Sequence, residues 1–141
     1  MRQNYLLRVA LKPLIPFIMI FGLYVQFHGD FGPGGGFQAG VIFAAAIILF
    51  ALIWGPRDAL ELFGHRGLER LAAAGVLLYG SVGVVTMLRG GNFLAYDFLA
   101  HDPHHGQHWG IFFVELGVGL TVAAVMALLF LLFVMRGRLH D

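Results

Sequence analysis

Four stretches of this chain are long, apolar and almost free of charge: Pro13 to Phe27, Phe37 to Trp54, Leu71 to Leu88 and Trp109 to Met135. Few folds accommodate that pattern. An 18-residue helix is about 27 Å long, close to the hydrocarbon thickness of a bilayer. The first run becomes a full span when extended back to Leu6, because Arg8 and Lys12 can carry their charges to the interface on apolar stems. Only 12% of the residues are charged, against about 25% in soluble domains. The expected fold is an all-α membrane protein. Residues 1–141 form one four-helix transmembrane domain with spans at 6–27, 37–54, 71–88 and 109–135. Arg2, Arg8 and Lys12 ahead of an apolar run look like a secretory leader, but no A-x-A-like cleavage site follows before the glycine-rich segment. The segment is therefore read as the first span.

Basic residues set the expected orientation. Arg2, Arg8 and Lys12 precede the first span, Arg57, Arg66 and Arg70 lie between the second and third, and Arg136 and Arg138 follow the fourth. Arg89 alone falls on the other side, so eight of the nine basic residues share one face. The positive-inside rule makes that face cytoplasmic, with both termini inside.

Between the first two spans runs His28-Gly29-Asp30-Phe31-Gly32-Pro33-Gly34-Gly35-Gly36-Phe37. Five glycines and a proline cannot hold a regular element, so the backbone turns sharply and can approach another chain segment closely. Its unpaired N–H and C=O groups are tolerated at membrane depth only against protein or water. Pro33, Gly34, Gly35, Gly36, Phe37 and Gly40 are the expected turn and helix-packing residues. Gly36, Gly40 and Ala44 recur every fourth position as a smooth stripe. Gly75 with Gly83, and Gly117 with Thr121, repeat the pattern in the third and fourth spans. Such faces pack the four helices, and some are expected to meet other subunits.

The second loop, Gly55 to Arg70, mixes both signs. It reads as a solvated connector, with a short amphipathic helix over Arg57 to Phe63 as the alternative. The third loop carries His101, His104, His105 and His108. On a helix His101 and His105, or His104 and His108, would share a face and could bind zinc or copper. Pro103 and Gly106 argue against a regular helix there, so no metal site is assigned; a pH-responsive outer loop is a more plausible role than metal binding, and histidines that are simply solvated or contact a neighbour are the alternative.

Glu115 is the one acid inside an apolar run. A carboxylate at a helix centre costs roughly 2.5–3.5 kcal/mol on insertion scales, so a membrane acid raises a functional hypothesis. Six residues beyond Trp109, it lies about 9 Å inward. His108 is seven residues earlier, on nearly the same face and about 10.5 Å away along the axis. Glu115 and His108 are the ion-path candidates; an interhelical hydrogen bond or ion pair is the competing role for Glu115.

Other chemistries fall away. The chain has no cysteine, which removes disulfides, thiolate metal sites and iron–sulfur ligation. No Walker A or dinucleotide pattern follows a strand, no histidine lies inside the spans to ligate haem, and Ser81 has no histidine partner for nucleophilic catalysis. No cofactor, nucleic-acid partner or enzymatic activity is expected.

The segment from His28 to Gly40, with its Pro-Gly-Gly-Gly-Phe core, resembles the signature of the MnhB (MrpB) family, small membrane proteins of the Mrp (Mnh) multisubunit cation/proton antiporters. The stretch from Gln107 to Ala123, with Glu115-Leu116-Gly117-Val118-Gly119-Leu120-Thr121 at its centre, is similar to that family's last span. The motifs occur in the family's order, and the resemblance covers nearly the whole chain. Asp30-Phe31-Gly32 departs from the shorter linker usual in relatives, as do His101 and His104. The resemblance implies a small subunit of a bacterial plasma-membrane complex that exchanges Na⁺ for H⁺, surrounded by lipid and other hydrophobic subunits. A membrane anchor of a related hydrogenase-type redox complex is the alternative, and a stand-alone small multidrug exporter a more distant one.

Overall fold

The computed structural model describes residues 2–29 and 32–137. Asp30 and Phe31 of the glycine-rich segment, and Arg138 beyond the last helix, lie outside them. Six α-helices follow in order: α1 (Arg2–Leu11), α2 (Leu14–His28), α3 (Gly36–Trp54), α4 (Pro56–Phe63), α5 (His65–Leu88) and α6 (Pro103–Gly137), with a 3-10 turn at Tyr96–Leu99 before α6. There is no strand among the described residues. Four segments are long and apolar enough to cross a membrane: Tyr5–His28, Gly36–Trp54, His65–Leu88 and His104–Gly137. The first is interrupted at Lys12-Pro13, because Pro13 has no N–H to continue the ladder. Pro16 falls within the first turn of α2, where a missing N–H breaks no helical bond.

The second loop departs from the expectation of a solvated connector. Pro56–Phe63 is the helix α4, with Pro56 and Ala59 buried. Gly55-Pro56 ends one helix and begins the next. Gly55 takes φ 116°, a conformation open mainly to glycine, and Pro56 supplies the fixed φ favoured at a first helical position. Ala59, Leu60 and Phe63 share the inward face, while Arg57, Asp58 and Glu61 point elsewhere. That amphipathic face closes the core.

Helix α6 also starts earlier than Trp109. Pro103 opens it without losing a helical bond, and Asp102 caps it by accepting the His104 N–H at 3.1 Å. Gly106 stays helical because it lies against the Tyr96 carbonyl, and Gly110 faces the Tyr96 ring; a Cβ at either would clash. At 35 residues the helix is about 52 Å long, more than the hydrocarbon thickness requires.

Helix α6 is the centre of the bundle, lying along α3 on one side and α5 on the other, with α2 on the outer side of α3. The α5–α6 crossing is tight. A Cβ on Gly117 would come within 2.7 Å of the Gly75 carbonyl, and Thr121 Oγ1 donates to Ala72 O at 3.2 Å across the crossing. The stripes of small residues are thus used within the chain. Toward the Trp54 end of α3 the core is wholly apolar: Ile47, Ala51, Ala59, Leu68, Ala127 and Leu131 are buried together against Met19, Phe50 and Phe63.

At the opposite end, polar groups anchor the loop before α6. Arg89 Nη1 donates to the Phe98 and Leu99 carbonyls at 3.2 and 2.6 Å. Thr86, fully buried, accepts the Leu94 N–H at 3.0 Å and donates to Gly83 O at 2.8 Å. Those bonds hold Leu94 at φ 62°, which a branched residue rarely adopts.

Candidate functional site

The glycine turn and Glu115, far apart in sequence, meet in space. The chain leaves α2 at Gly29 and returns so closely over its end that Gly35 N–H donates to Val25 O at 3.3 Å. Gly35 takes φ 128° and ψ 176°, a region essentially reserved for glycine. Gly34 has no room for a side chain either, since a Cβ there would lie 2.8 Å from Val25 O. The resulting backbone cradle receives the Glu115 carboxylate. A Cβ on Gly29 would lie 2.7 Å from Glu115 Oε2, and one on Gly35 would lie 2.9 Å from Oε1. Gly36 presses directly on the Glu115 backbone carbonyl, where a Cβ would overlap it. One turn along, Gly40 packs on Gly119 O and Val122. Glycine is required at these positions because α3 and α6 approach backbone to backbone.

Sequence reasoning singles out several further residues, and their places differ. Phe37 is 63% exposed. His108 stands exposed near the N-terminal end of α6 with its ring edge-on to Trp109. Phe112 occupies the turn between His108 and Glu115 and stacks on Phe27 with ring centroids 5.9 Å apart. Trp109 and Phe113 extend this aromatic collar. These rings pack on the stretch of α6 between His108 and Glu115, and the glycine turn lies against the carboxylate. His28 lies beside that turn, stacked on Tyr24 at 5.2 Å, with its Nε2 3.2 Å from the position of a Cβ on Gly32.

The third-loop histidines do not converge. His105 Nδ1 is 2.9 Å from Asp102 Oδ2, and among the described residues no three potential ligands gather around a metal-sized space. The His105 hydrogen bond, with the His104 N–H, holds the Asp102 carboxyl below the usual carboxylate range. Burial pushes the Tyr96 phenol up, with Tyr79 adding to the effect.

Gln26 is the residue that sequence reasoning passes over. It is 6% exposed, on the face of α2 turned to α3 and α6, with Oε1 2.8 Å from the position of a Cβ on Gly119. A carboxamide inside the first apolar run is the available signal. A search for charge alone does not find it.

A family model described as "Domain related to MnhB subunit of Na+/H+ antiporter" matches residues 6–128. Over 135 residues the chain is 32% identical to a "Putative antiporter subunit mnhB2" of Staphylococcus haemolyticus (strain JCSC1435), covering 93% of this chain and 95% of that protein. Its counterpart in Staphylococcus aureus (strain Newman) is 33% identical over 133 residues, 86% of this chain and 94% of the relative. An uncharacterised protein of Methanocaldococcus jannaschii is 39% identical over 82 residues, 58% of this chain and 31% of that longer protein.

Proposed function

The chain belongs to the family of proteins related to the MnhB subunit of Na⁺/H⁺ antiporters, and from that premise we propose that it places an ion-handling carboxylate, Glu115, near the outer surface of a multisubunit antiporter. It is a transporter subunit, embedded in the membrane by four apolar spans. The complex resides in the bacterial plasma membrane, exchanges Na⁺ for H⁺ and surrounds this chain with other hydrophobic subunits. The observation that carries the reading is the carboxylate of Glu115 resting on the Gly29–Gly35 backbone. A membrane acid is costly to insert. Placed against irregular backbone, whose own polar groups need water or protein, it lies where ions from outside can reach it.

Glu115→Gln separates ion handling from packing, because it keeps volume and hydrogen bonding while removing the charge. The variant is expected to assemble and to lose about tenfold or more in antiport, equivalent to about 1.4 kcal/mol. Glu115→Asp should retain part of the activity. Wild-type antiport across the pH range in an assembled Gln variant would make Glu115 a packing residue.

Both termini are assigned to the cytoplasm, supported by the eight-to-one basic asymmetry. The chain has no native cysteine, so His104→Cys introduces a single exposed thiol at the outer end of α6. An impermeant thiol reagent should label it from outside intact cells, and labelling only from inverted vesicles would reverse the orientation.

A further inference from the structure

Among the described residues, Gln26 is the buried side chain whose polar atom finds no partner in the protein: it is 6% exposed and its Nε2 has no hydrogen-bond acceptor. An unmet amide donor in a buried position is costly, because it has given up its hydrogen bonds to water for none in the protein. The carboxamide lies where α2, α3 and α6 converge. Its Oε1 and the Gly36 carbonyl approach the same point, the place a Cβ on Gly119 would take, at 2.8 and 3.1 Å. Glu115 is one helical turn from Gly119 on α6, and its carboxylate covers Gly29, three residues beyond Gln26 on α2. Carboxylate and carboxamide therefore lie on neighbouring turns where α2, α3 and α6 meet, the acid at Gly29 and Gly35 and the amide at Gly119.

We propose that Gln26 and Glu115 together hold a buried water molecule, making this pair a proton-accepting site rather than a seat for the metal cation. The inference rests on the reading of Glu115 as an ion-handling group and names the ion. A water accepts from the amide N–H, satisfying the donor left unmet, and donates to the carboxylate, which has lone pairs for more than one partner. Water also serves whichever end of the carboxamide faces it, whereas a metal ion is served by the oxygen alone. Hard cations gather about six oxygen ligands, as calcium and magnesium do. The carboxylate, the Gln26 and Gln38 carboxamides and the Gly36 carbonyl supply oxygens around Gly35 and Gly119, but the group left unmet is an amide N–H donor, which a water satisfies and a cation does not. The other titratable or charged groups on the converging helices are Tyr24 and His28 on α2, and His104, His105, His108 and the distant Arg136 on α6. α3 carries none, and Asp30 of the turn lies outside the described residues.

The test uses the purified, assembled complex. The Glu115 carboxyl band, identified in infrared difference spectra by its loss in Glu115→Gln or its displacement in Glu115→Asp, is titrated with pH at zero and saturating Na⁺. Its midpoint should be the same in both. A Na⁺-dependent midpoint means that the two ions compete at this acid, by linkage, and overturns the proposal. Gln26→Met keeps the side-chain size but removes both polar ends. It should move the midpoint by about one pH unit or more, tenfold in proton affinity, while half-saturating Na⁺ for antiport stays within about twofold of wild type. An unmoved midpoint, or a changed Na⁺ dependence with an unmoved midpoint, overturns the proposal. Should Gln26→Met not assemble, the Na⁺ comparison on the unaltered Gln26 still decides. Full antiport in Glu115→Gln would instead defeat the ion-path reading, and the band titration would report on the water-bridged pair independently of it.

Discussion

Gly36→Leu is expected to abolish accumulation of the assembled complex, whereas Gly80→Leu should leave it near wild type. Both substitutions put the same side chain on a helical glycine, so helix propensity and added hydrophobicity are matched. Their surroundings differ. A Cβ on Gly36 would overlap the backbone carbonyl of Glu115, and one on Gly80 meets nothing within 4 Å. Side chains can rotate away from an intruder; a carbonyl in the middle of α6 cannot move without displacing the helix. Overpacking a well-packed site costs about 1–3 kcal/mol and occasionally more, and here the obstacle is rigid. Marginal stability makes such a loss large. The measurement is the yield and thermal stability of the complex after mild detergent extraction. Wild-type yield for Gly36→Leu would mean that α3 and α6 do not cross at Gly36 in the membrane.

Gly35→Ala is expected to assemble in reduced amount and to transport poorly even after correction for yield. Gly35 has φ 128° and ψ 176°, and holding alanine in so sparse a region costs about 1–3 kcal/mol. The added methyl would also lie 2.9 Å from Glu115 Oε1 and 3.3 Å from Gln38 Oε1, so the carboxylate must swing out of its cradle. The two effects can be separated by a double-mutant cycle. If the turn acts on transport through Glu115, adding Gly35→Ala to Glu115→Gln should change antiport little further, a clear departure from additivity. Independent, additive losses would show that the turn and the acid serve different ends.

Much of this architecture is legible from the sequence, and the reasons differ from element to element. The four spans can be read because a bilayer imposes a length and a polarity that few soluble helices share. The glycine turn and Glu115 can each be singled out because both break the apolar rule. Their meeting cannot be read. It depends on which faces of α3 and α6 oppose each other, and Gly36, Gly40 and Ala44 specify only that some close neighbour exists. The helix α4 stands in the sequence only as the alternative to a solvated connector, because Gly55-Pro56 reads as a terminator, although proline suits a first helical turn as well as it ends one. The outer start of α6 is hidden for a related reason. Gly106 signals a break in isolation, and only the Tyr96 carbonyl lying against it explains its place in a continuous helix. Gln26 escapes notice because a single carboxamide has no spacing pattern. Its significance comes from burial without a partner.

The wholly apolar packing of Ile47, Ala51, Ala59, Leu68, Ala127 and Leu131 bears on biogenesis. A newly inserted copy, not yet joined to its neighbours, already carries an acid within its last span. A continuous file of polar groups through it would short-circuit the proton gradient in every cell that made the protein in excess. The oily plug beyond the cradle offers protons no file of polar groups at that end of the bundle. On the ion-path reading proposed for Glu115, any continuation of the pathway past the plug has to come from a neighbouring subunit, which would tie the onset of ion movement to completion of the machine.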